Sequence, residues 1–177
     1  MPSNSQIDAV ALLKQDHRTV EGLFEKFEAT NGKATKQKLA QQICMELTVH
    51  QIIEEEIFYP GVKEYVDSEI YEEAYVEHDG SKVLLAEIGA GSPDEAFYDA
   101  KVKVLSEMIK HHVKEEEQRD GMFAQAKRNG ADLDSLGQLL LARKEELTAQ
   151  FKRSGLPTPE TKVMKGVELA HGEVVEA

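Results

Sequence analysis

His50 with Glu54, and His112 with Glu116, repeat one short pattern: a histidine, three residues, then a glutamate, with further glutamates alongside. On a helix, residues four apart lie one turn apart on one face, so each pair can aim an imidazole and a carboxylate at a common point. Two such pairs on facing helices supply nitrogen and oxygen ligands to a metal centre in a bundle core. His17 and His78 stand at matching places ahead of them, 33 residues before His50 and 34 before His112. The near-equality predicts a pseudo-twofold arrangement. Each half gives a histidine from its first helix and a His–Glu pair from its second.

Taken singly, each of these residues reads equally well as a member of a buried ion pair or as a solvated side chain. Taken together, six of them lie in phase with the apolar stripes of four consecutive helices, where unsatisfied carboxylates are costly. That combination points to a metal cluster. Imidazole and carboxylate without thiolate suit iron, manganese or zinc, and a structural zinc site more often uses four ligands including cysteine. Six ligands, two of them carboxylates able to bridge, suit two ions better than one. Iron is favoured, with manganese or zinc as alternatives.

The elements that must position these residues are helices. Ile7, Val10, Leu13, His17, Val20, Phe24 and Phe27 recur at steps of three and four, closed by Asn31-Gly32. Leu39, Ile43, Leu47, His50, Glu54 and Ile57 mark a second helix, with Pro60-Gly61 as a kink or an end. The third runs through Tyr71, Ala74 or Tyr75, His78, Leu85 and Ile88 to Gly89-Ala90-Gly91. Ser92-Pro93-Asp94-Glu95 has the form of a capping box and predicts the start of the fourth, through Val102, Leu105, Ile109, His112 and Glu116. Leu136, Leu140 and Leu147 mark a fifth segment, Leu133 to about Phe151, after Asn129-Gly130. The tail from Ser154, with Pro157, Pro159, Gly166 and Gly172, is expected to be extended or loosely docked.

The fold class expected is therefore all-α: an up-down-up-down four-helix bundle over 1–128, an additional C-terminal helix over 129–153, and an extended tail over 154–177. The additional helix covers a bundle edge or forms the contact of a homodimer. A chain of 177 residues has room for one substantial core. With 33 acidic against 21 basic residues the net charge is −12, which disfavours nucleic acid and anionic membrane surfaces as partners. The lone Cys44 excludes an internal disulfide framework and suits a reducing compartment. With neither a charged-then-apolar leader nor a membrane-length apolar run, the expectation is a cytoplasmic protein.

Leu13-Lys14-Gln15-Asp16-His17-Arg18-Thr19-Val20-Glu21, the run HQIIEEEIFYP from His50 to Pro60, Glu77-His78, and HHVKEEE from His111 to Glu117 resemble the four motifs of the hemerythrin-like, HHE cation-binding family. The resemblance covers roughly residues 7 to 128. It implies a bundle around a non-haem di-iron site with His17, His50, His78 and His112 as terminal ligands and Glu54 and Glu116 as bridging carboxylates. The oxygen-carrying members use a fifth histidine where this chain has Ala74, and an aspartate at a longer spacing where it has a glutamate. Glu21, Tyr71, Tyr75 or water are the candidates to compensate, with Glu21 more simply a solvated acid. A poorer ligand set favours reactive chemistry over reversible oxygen carriage.

One register stays open. Matching the glutamate triplets of the two halves selects His111 with Glu115, whereas the apolar stripe through Val102, Leu105 and Ile109 selects His112 with Glu116. The latter is adopted, because the stripe through His111 passes through Lys101. Glu55, Glu56 and Glu117 are read as solvated, Cys44 as a small boundary side chain, and His171 as remote from the metal. The expected ligand is a small oxidant: dioxygen, peroxide or nitric oxide. No separate nucleophile or general base is evident, so any catalysis is the metal's. The alternatives are iron sensing or storage without turnover, and a structural bundle with a vestigial site.

Overall fold

A computed structural model describes residues 8–173 and 175. Among these residues seven α-helices follow one another: α1 Ala9–Ala29, α2 Lys33–Ile53, α3 Tyr59–Val62, α4 Ser68–Ala90, α5 Tyr98–Glu117, α6 Met122–Arg128 and α7 Leu133–Ser154. A π-helical turn, Glu54–Phe58, joins α2 to α3, and a 3-10 turn, Lys63–Tyr65, follows α3. Helices α1, α2, α4 and α5 form the up-down-up-down bundle, and α7 packs along α1 and α2. Among the described residues there is no strand, and no helix is long and apolar enough to cross a membrane.

Sequence chemistry explains most of the boundaries. Asp8 caps α1, its carboxylate accepting from the Val10 and Ala11 amides at 2.8 and 3.1 Å. Ile7, expected to open this helix, lies outside the described residues. Asp67 caps α4 through the Glu69 amide, and Asp132 caps α7 through the Ser135 amide.

The fourth bundle helix starts later than Ser92-Pro93-Asp94-Glu95 predicts. Those residues make a turn in which the Ser92 hydroxyl accepts from the Asp94 amide and the Ser92 carbonyl from the Glu95 amide. Phe97 then adopts a left-handed conformation, φ 63°, so the helix cannot run back through it. Tyr98, buried with its hydroxyl donating to the Ile88 carbonyl, pins the true start.

Two other departures concern α2 and the tail. The helical path does not end at Pro60-Gly61 but runs on to Val62. The irregularity precedes the proline: Pro60 has no amide to offer the Glu56 carbonyl, and the wide turn from Glu54 absorbs that break, with the Tyr59 amide donating to the Glu54 carbonyl. The tail is extended as expected, and its stretch 160–164 is tied to α4. The Asp79 carboxylate accepts from the backbone amides of Lys162, Val163 and Met164 at 2.7 to 3.0 Å, and Lys82 Nζ donates to the Glu160 carbonyl at 2.9 Å.

The apolar interior divides in two. One cluster includes Leu13, Ile53, Phe58, Ala74, Met122 and Leu140; the other includes Val20, Phe24, Leu47, Leu85, Leu105 and Ile109. Helices α1, α2 and α4 each pass from one cluster to the other at a histidine: His17 between Leu13 and Val20, His50 between Leu47 and Ile53, His78 between Ala74 and Leu85. A polar layer therefore crosses the bundle between two apolar cores.

Candidate metal centre

His17 on α1, His50 on α2, His78 on α4 and His112 on α5 are all buried in that layer, together with Glu54 and Glu116. The imidazoles meet in two pairs. His17 Nε2 lies 3.2 Å from His50 Nε2, and His78 Nε2 lies 3.1 Å from His112 Nε2. The carboxylates join the pairs. Glu54 Oε2 is 3.2 Å from His50 Nε2 and 3.3 Å from His78 Nε2. Glu116 is 3.3 Å from His17 Nε2 through one oxygen and 3.5 Å from His112 Nε2 through the other. All six residues singled out from the sequence converge. The donor atoms of His17, His50, Glu54 and Glu116 form one group able to hold an ion, and those of Glu54, His78 and His112 a second.

Each histidine has a second carboxylate on its outer nitrogen. Glu117 accepts from His17 Nδ1 at 2.7 Å, Asp16 faces His50 Nδ1 at 3.5 Å, Glu55 faces His78 Nδ1 at 3.0 Å, and Glu77 faces His112 Nδ1 at 2.7 Å. These four form a closed circuit: α1 supplies the acid for the histidine of α2, the π turn after α2 for that of α4, α4 for that of α5, and α5 for that of α1. A carboxylate on Nδ1 favours the proton there and leaves the Nε2 lone pair facing inward, the tautomer a metal requires.

Cations sit beyond that circuit. Lys144 of α7 pairs with Asp16, Lys82 with Glu55 at 2.7 Å, and Arg18 with Glu117 at 2.5 Å. Glu55 and Glu117 are thus not solvated as expected. Glu55 is buried and Glu117 half-buried, each committed to a histidine. Glu56 does face outward, where Arg143 of α7 holds both its oxygens at 2.7 and 3.1 Å.

The metal-free electrostatics separate the two carboxylates. Burial, reinforced by the charge of Glu116, pushes Glu54 well above the usual carboxylate range. Burial works against Glu116 too, but the imidazoles of His112, His17 and His50 outweigh it and hold Glu116 at about 2. Burial and then the charge of His112 push His78 well below the imidazole range, and burial also lowers His50. For His112 burial acts downward, yet Glu116 and Glu77 raise it overall. Like groups crowded into one low-dielectric site cannot all ionise together.

Tyr59 is a member of this layer that sequence reading missed. Its hydroxyl lies 3.1 Å from both His78 Nε2 and Glu116 Oε1, 3.3 Å from His112 Nε2 and 3.4 Å from Glu54 Oε2. Regular α-helical spacing would place a residue five positions on roughly 140° around the axis from Glu54. The wider π turn brings Tyr59 onto the Glu54 side instead. A helical stripe cannot reveal this, although Pro60 was the signal of an irregularity nearby.

The groups proposed to compensate for Ala74 stay outside the layer. Glu21 pairs with Arg18 at 3.3 Å, while the Tyr71 and Tyr75 hydroxyls face each other at 3.5 Å. Ala74 itself is buried. His111 is exposed, 3.3 Å from Glu77, and Glu115 accepts from the Gln118 side chain. His171 is exposed in the tail, and Cys44 is buried in the second apolar cluster. Helix α6, unanticipated because it is too short to show a period, closes one end of the layer: the Phe123 ring stacks on that of His17 at 5.8 Å. On the other side, Val20, Leu47, Ile109 and Val113 line a cavity of about 10 Å³ against the histidines, room for about one water-sized molecule.

Residues 8–124 match the family model described as the hemerythrin HHE cation binding domain. Two curated proteins are similar. A DNA nickase of Nostoc sp. is 31% identical over 118 residues, 67% of this chain and 33% of that protein. An uncharacterized hemerythrin-like protein of Schizosaccharomyces pombe is 26% identical over 112 residues, 62% of this chain and 55% of that protein. The match thus spans a third to about half the length of these relatives. Among solved structures, a hemerythrin HHE cation binding domain-containing protein from Mycobacterium kansasii superimposes with a TM-score of 0.71 at 23% identity, covering 85% of this chain and 95% of that one.

Proposed function

The chain belongs to the hemerythrin HHE cation-binding domain family, and from that premise we propose that its buried layer holds two non-haem iron ions and binds or reduces a small oxidant of the size of dioxygen, peroxide or nitric oxide. The observation that carries this reading is the double reach of Glu54 and Glu116, each of which touches one histidine of either pair. A carboxylate placed between two imidazole pairs is positioned to serve an ion at each pair.

The residues fit such a group. Ligand atoms about 2.1 Å from a common ion lie roughly 3.0 to 3.4 Å apart, and the two Nε2 pairs stand at 3.2 and 3.1 Å. Neither Glu54 Oε1 nor Glu116 Oε2 has a hydrogen-bond partner, a costly condition that a cation relieves. His17 and His50 would hold one ion and His78 and His112 the other, with Glu54 and Glu116 within reach of both. Iron bound there supplies the redox electrons and the coordination positions open to an oxidant. The family, the nitrogen–carboxylate set and the lack of thiolate favour iron over manganese or zinc.

The chain's own groups do the rest. Asp16, Glu55, Glu77 and Glu117 fix the imidazoles in the ligating tautomer. The Tyr59 hydroxyl holds a proton against Glu116 Oε1. Val20, Leu47, Ile109 and Val113, with Asp16, Glu46 and Gln51, leave only a small cavity beside the imidazoles, which limits the size of the oxidant. The bundle, residues 8–128, is the metal-binding unit, and α7 braces it through Lys144 and Arg143. Nicking of DNA is not carried over from the relative of that name: the shared part is a third of that protein, and a net charge of −12 repels phosphate.

The test is iron content with peroxide consumption, measured on reconstituted protein. At most one tightly bound ion refutes the dinuclear centre. Two ions, with peroxide, dioxygen and nitric oxide all leaving the optical spectrum unchanged, refute the oxidant reading.

A further inference from the structure

Tyr71, Tyr75 and His78 follow one another on α4 at steps of four and three residues, so they form a line along one helix face. Tyr59, from α3, closes that line onto the metal-ligand layer. The Tyr59 and Tyr75 rings are 5.2 Å apart between centroids, and those of Tyr75 and Tyr71 5.3 Å. The Tyr71 hydroxyl lies 3.5 Å from that of Tyr75. Tyr59 is fully buried, whereas Tyr71 and Tyr75 are half-exposed and line a surface concavity of about 450 Å³ with Glu72, Val76 and Val163. Lys63 Nζ stands 5.8 Å from the Tyr71 ring centre. Oxidisable side chains thus run in near contact from the donor atoms of the buried layer to solvent.

We propose that Tyr71, Tyr75 and Tyr59 form a relay carrying single electrons from a small one-electron reductant at the surface to the buried centre. The inference rests on the metal-binding reading above and adds where the electrons enter. Electron tunnelling weakens exponentially with distance, so short hops between neighbouring phenols outpace one long step through the bundle. A cavity of about 10 Å³ beside the histidines leaves no room for a bulky reductant, and the electrons must then come through the protein. Reducing one peroxide to two waters takes two electrons and two protons. Two molecules of a phenol- or hydroquinone-type donor each supply one electron and one proton.

Each hop leaves one tyrosine restored and the next oxidised. A Tyr59 phenoxyl takes an electron from Tyr75 and recovers the proton that its hydroxyl had passed to Glu116 Oε1, while half-exposed Tyr75 releases its own to water, so that two hops release to solvent the two protons that peroxide takes up from it. The Tyr75 phenoxyl then takes a hydrogen atom from the Tyr71 hydroxyl, and the donor restores Tyr71.

Flash photolysis tests the relay without peroxide. A photogenerated ruthenium(III) tris-bipyridine oxidises a surface tyrosine of anaerobic protein carrying Tyr65→Phe, which removes another partly exposed phenol. The tyrosyl radical is followed by absorption and electron paramagnetic resonance. In the iron(II)-loaded form the radical should decay faster than in the metal-free form by an order of magnitude or more, as one iron(II) becomes iron(III) and the phenoxyl regains an electron and a proton. Tyr75→Phe should abolish that acceleration while radical still forms at Tyr71, and Tyr71→Phe should lower the initial radical yield. Equal decay in the loaded and metal-free forms, or a Tyr75→Phe protein as fast as its parent, overturns the relay while leaving the metal centre standing. A chain that takes up no iron overturns both.

Discussion

Glu117, at the end of α5, accepts a 2.7 Å hydrogen bond from His17 Nδ1 on α1, a hundred residues earlier in the chain. That contact closes the circuit of four acids around four histidines, and it does so from the C-terminal turn of the last bundle helix. Removing such an outer carboxylate typically costs about 10- to 100-fold in metal affinity. Glu117→Ala should therefore weaken binding by that order in a calorimetric titration with zinc or iron(II). Glu21→Ala, which removes an ion pair with Arg18 and no contact to the histidine layer, should leave binding within about twofold. Equal affinities for the two variants would remove the outer acids from the account.

The placement of Glu117 depends on how the chain leaves α5. A Cβ on Gly121 would stand 2.8 Å from the Glu116 carbonyl oxygen and closer still to that of Glu115. These are backbone atoms of the turn that carries both Glu116 and Glu117, and they cannot swing aside. Overpacking of this kind costs about 1–3 kcal/mol, so Gly121→Ala should lower both the melting temperature and the metal affinity. A loss of stability with unchanged affinity would mean that the strain is absorbed beyond Gln118.

Much of this was legible because buried histidine and glutamate are rare on apolar stripes. His17, His50, His78, His112, Glu54 and Glu116 stand in phase with Leu13, Leu47, Leu85 and Ile109, and phase is what a helix converts into direction. Tyr59 was not legible, because its direction depends on a π turn that a fixed helical period misassigns. The outer acids were half-visible: Asp16, Glu55, Glu77 and Glu117 each sit next to a ligand residue in sequence, but each serves a histidine on another helix. Pairing across helices cannot be read from spacing within one. Likewise, Ser92 and Glu95 offered an acceptable cap that the left-handed Phe97 left unused.

Neighbouring residues of α5 test the register. His112 and Glu116 lie in the layer, whereas His111 is exposed and Glu115 touches Gln118. His112→Ala and Glu116→Ala should each strip iron and abolish peroxide consumption, the glutamate more completely because it serves both imidazole pairs. His111→Ala and Glu115→Ala should keep two ions per chain. Iron analysis of the four proteins side by side decides the matter, and damage confined to the His111 and Glu115 variants would sink the assignment.

Cys44 reports on the integrity of the second apolar cluster. Burial pushes its thiol up to about 11 from an ordinary 9.0, so at pH 8 the folded chain carries about 100-fold less thiolate than the unfolded one. Reaction with an aromatic disulfide reagent should be slower than in urea by at least that factor. Because the folded pKa lies above the unfolded one, the thiol also costs stability as pH rises from about 9 to 11. Cys44→Ala should flatten that part of the melting curve relative to wild type. A fast native reaction at pH 8 would show that α2 and α4 separate there.

Glu54 is where function and stability conflict most directly. Burial and the Glu116 charge raise its folded pKa well above the unfolded value near 4.5. Above 4.5, therefore, folding the metal-free chain binds a proton that the unfolded chain has released, and stability falls as pH rises toward the folded pKa. Glu54→Gln keeps the shape and removes the charge. The metal-free variant should melt a few degrees above metal-free wild type at pH 7 to 8, each kcal/mol being worth about 2–4 °C in a chain of this size. Its advantage should shrink as pH approaches 4.5, where wild-type Glu54 is increasingly protonated in both states. With metal the order should reverse, since the ion stabilises only the folded state that binds it, by about 2.7 kcal/mol at 100 times its dissociation constant, and the variant has lost a bridging carboxylate. Melting curves of both proteins, with chelator and with iron, give four temperatures. If Glu54→Gln is the less stable protein in chelator at pH 7.5, the Glu54 charge is satisfied within the protein and is not held in readiness for a cation.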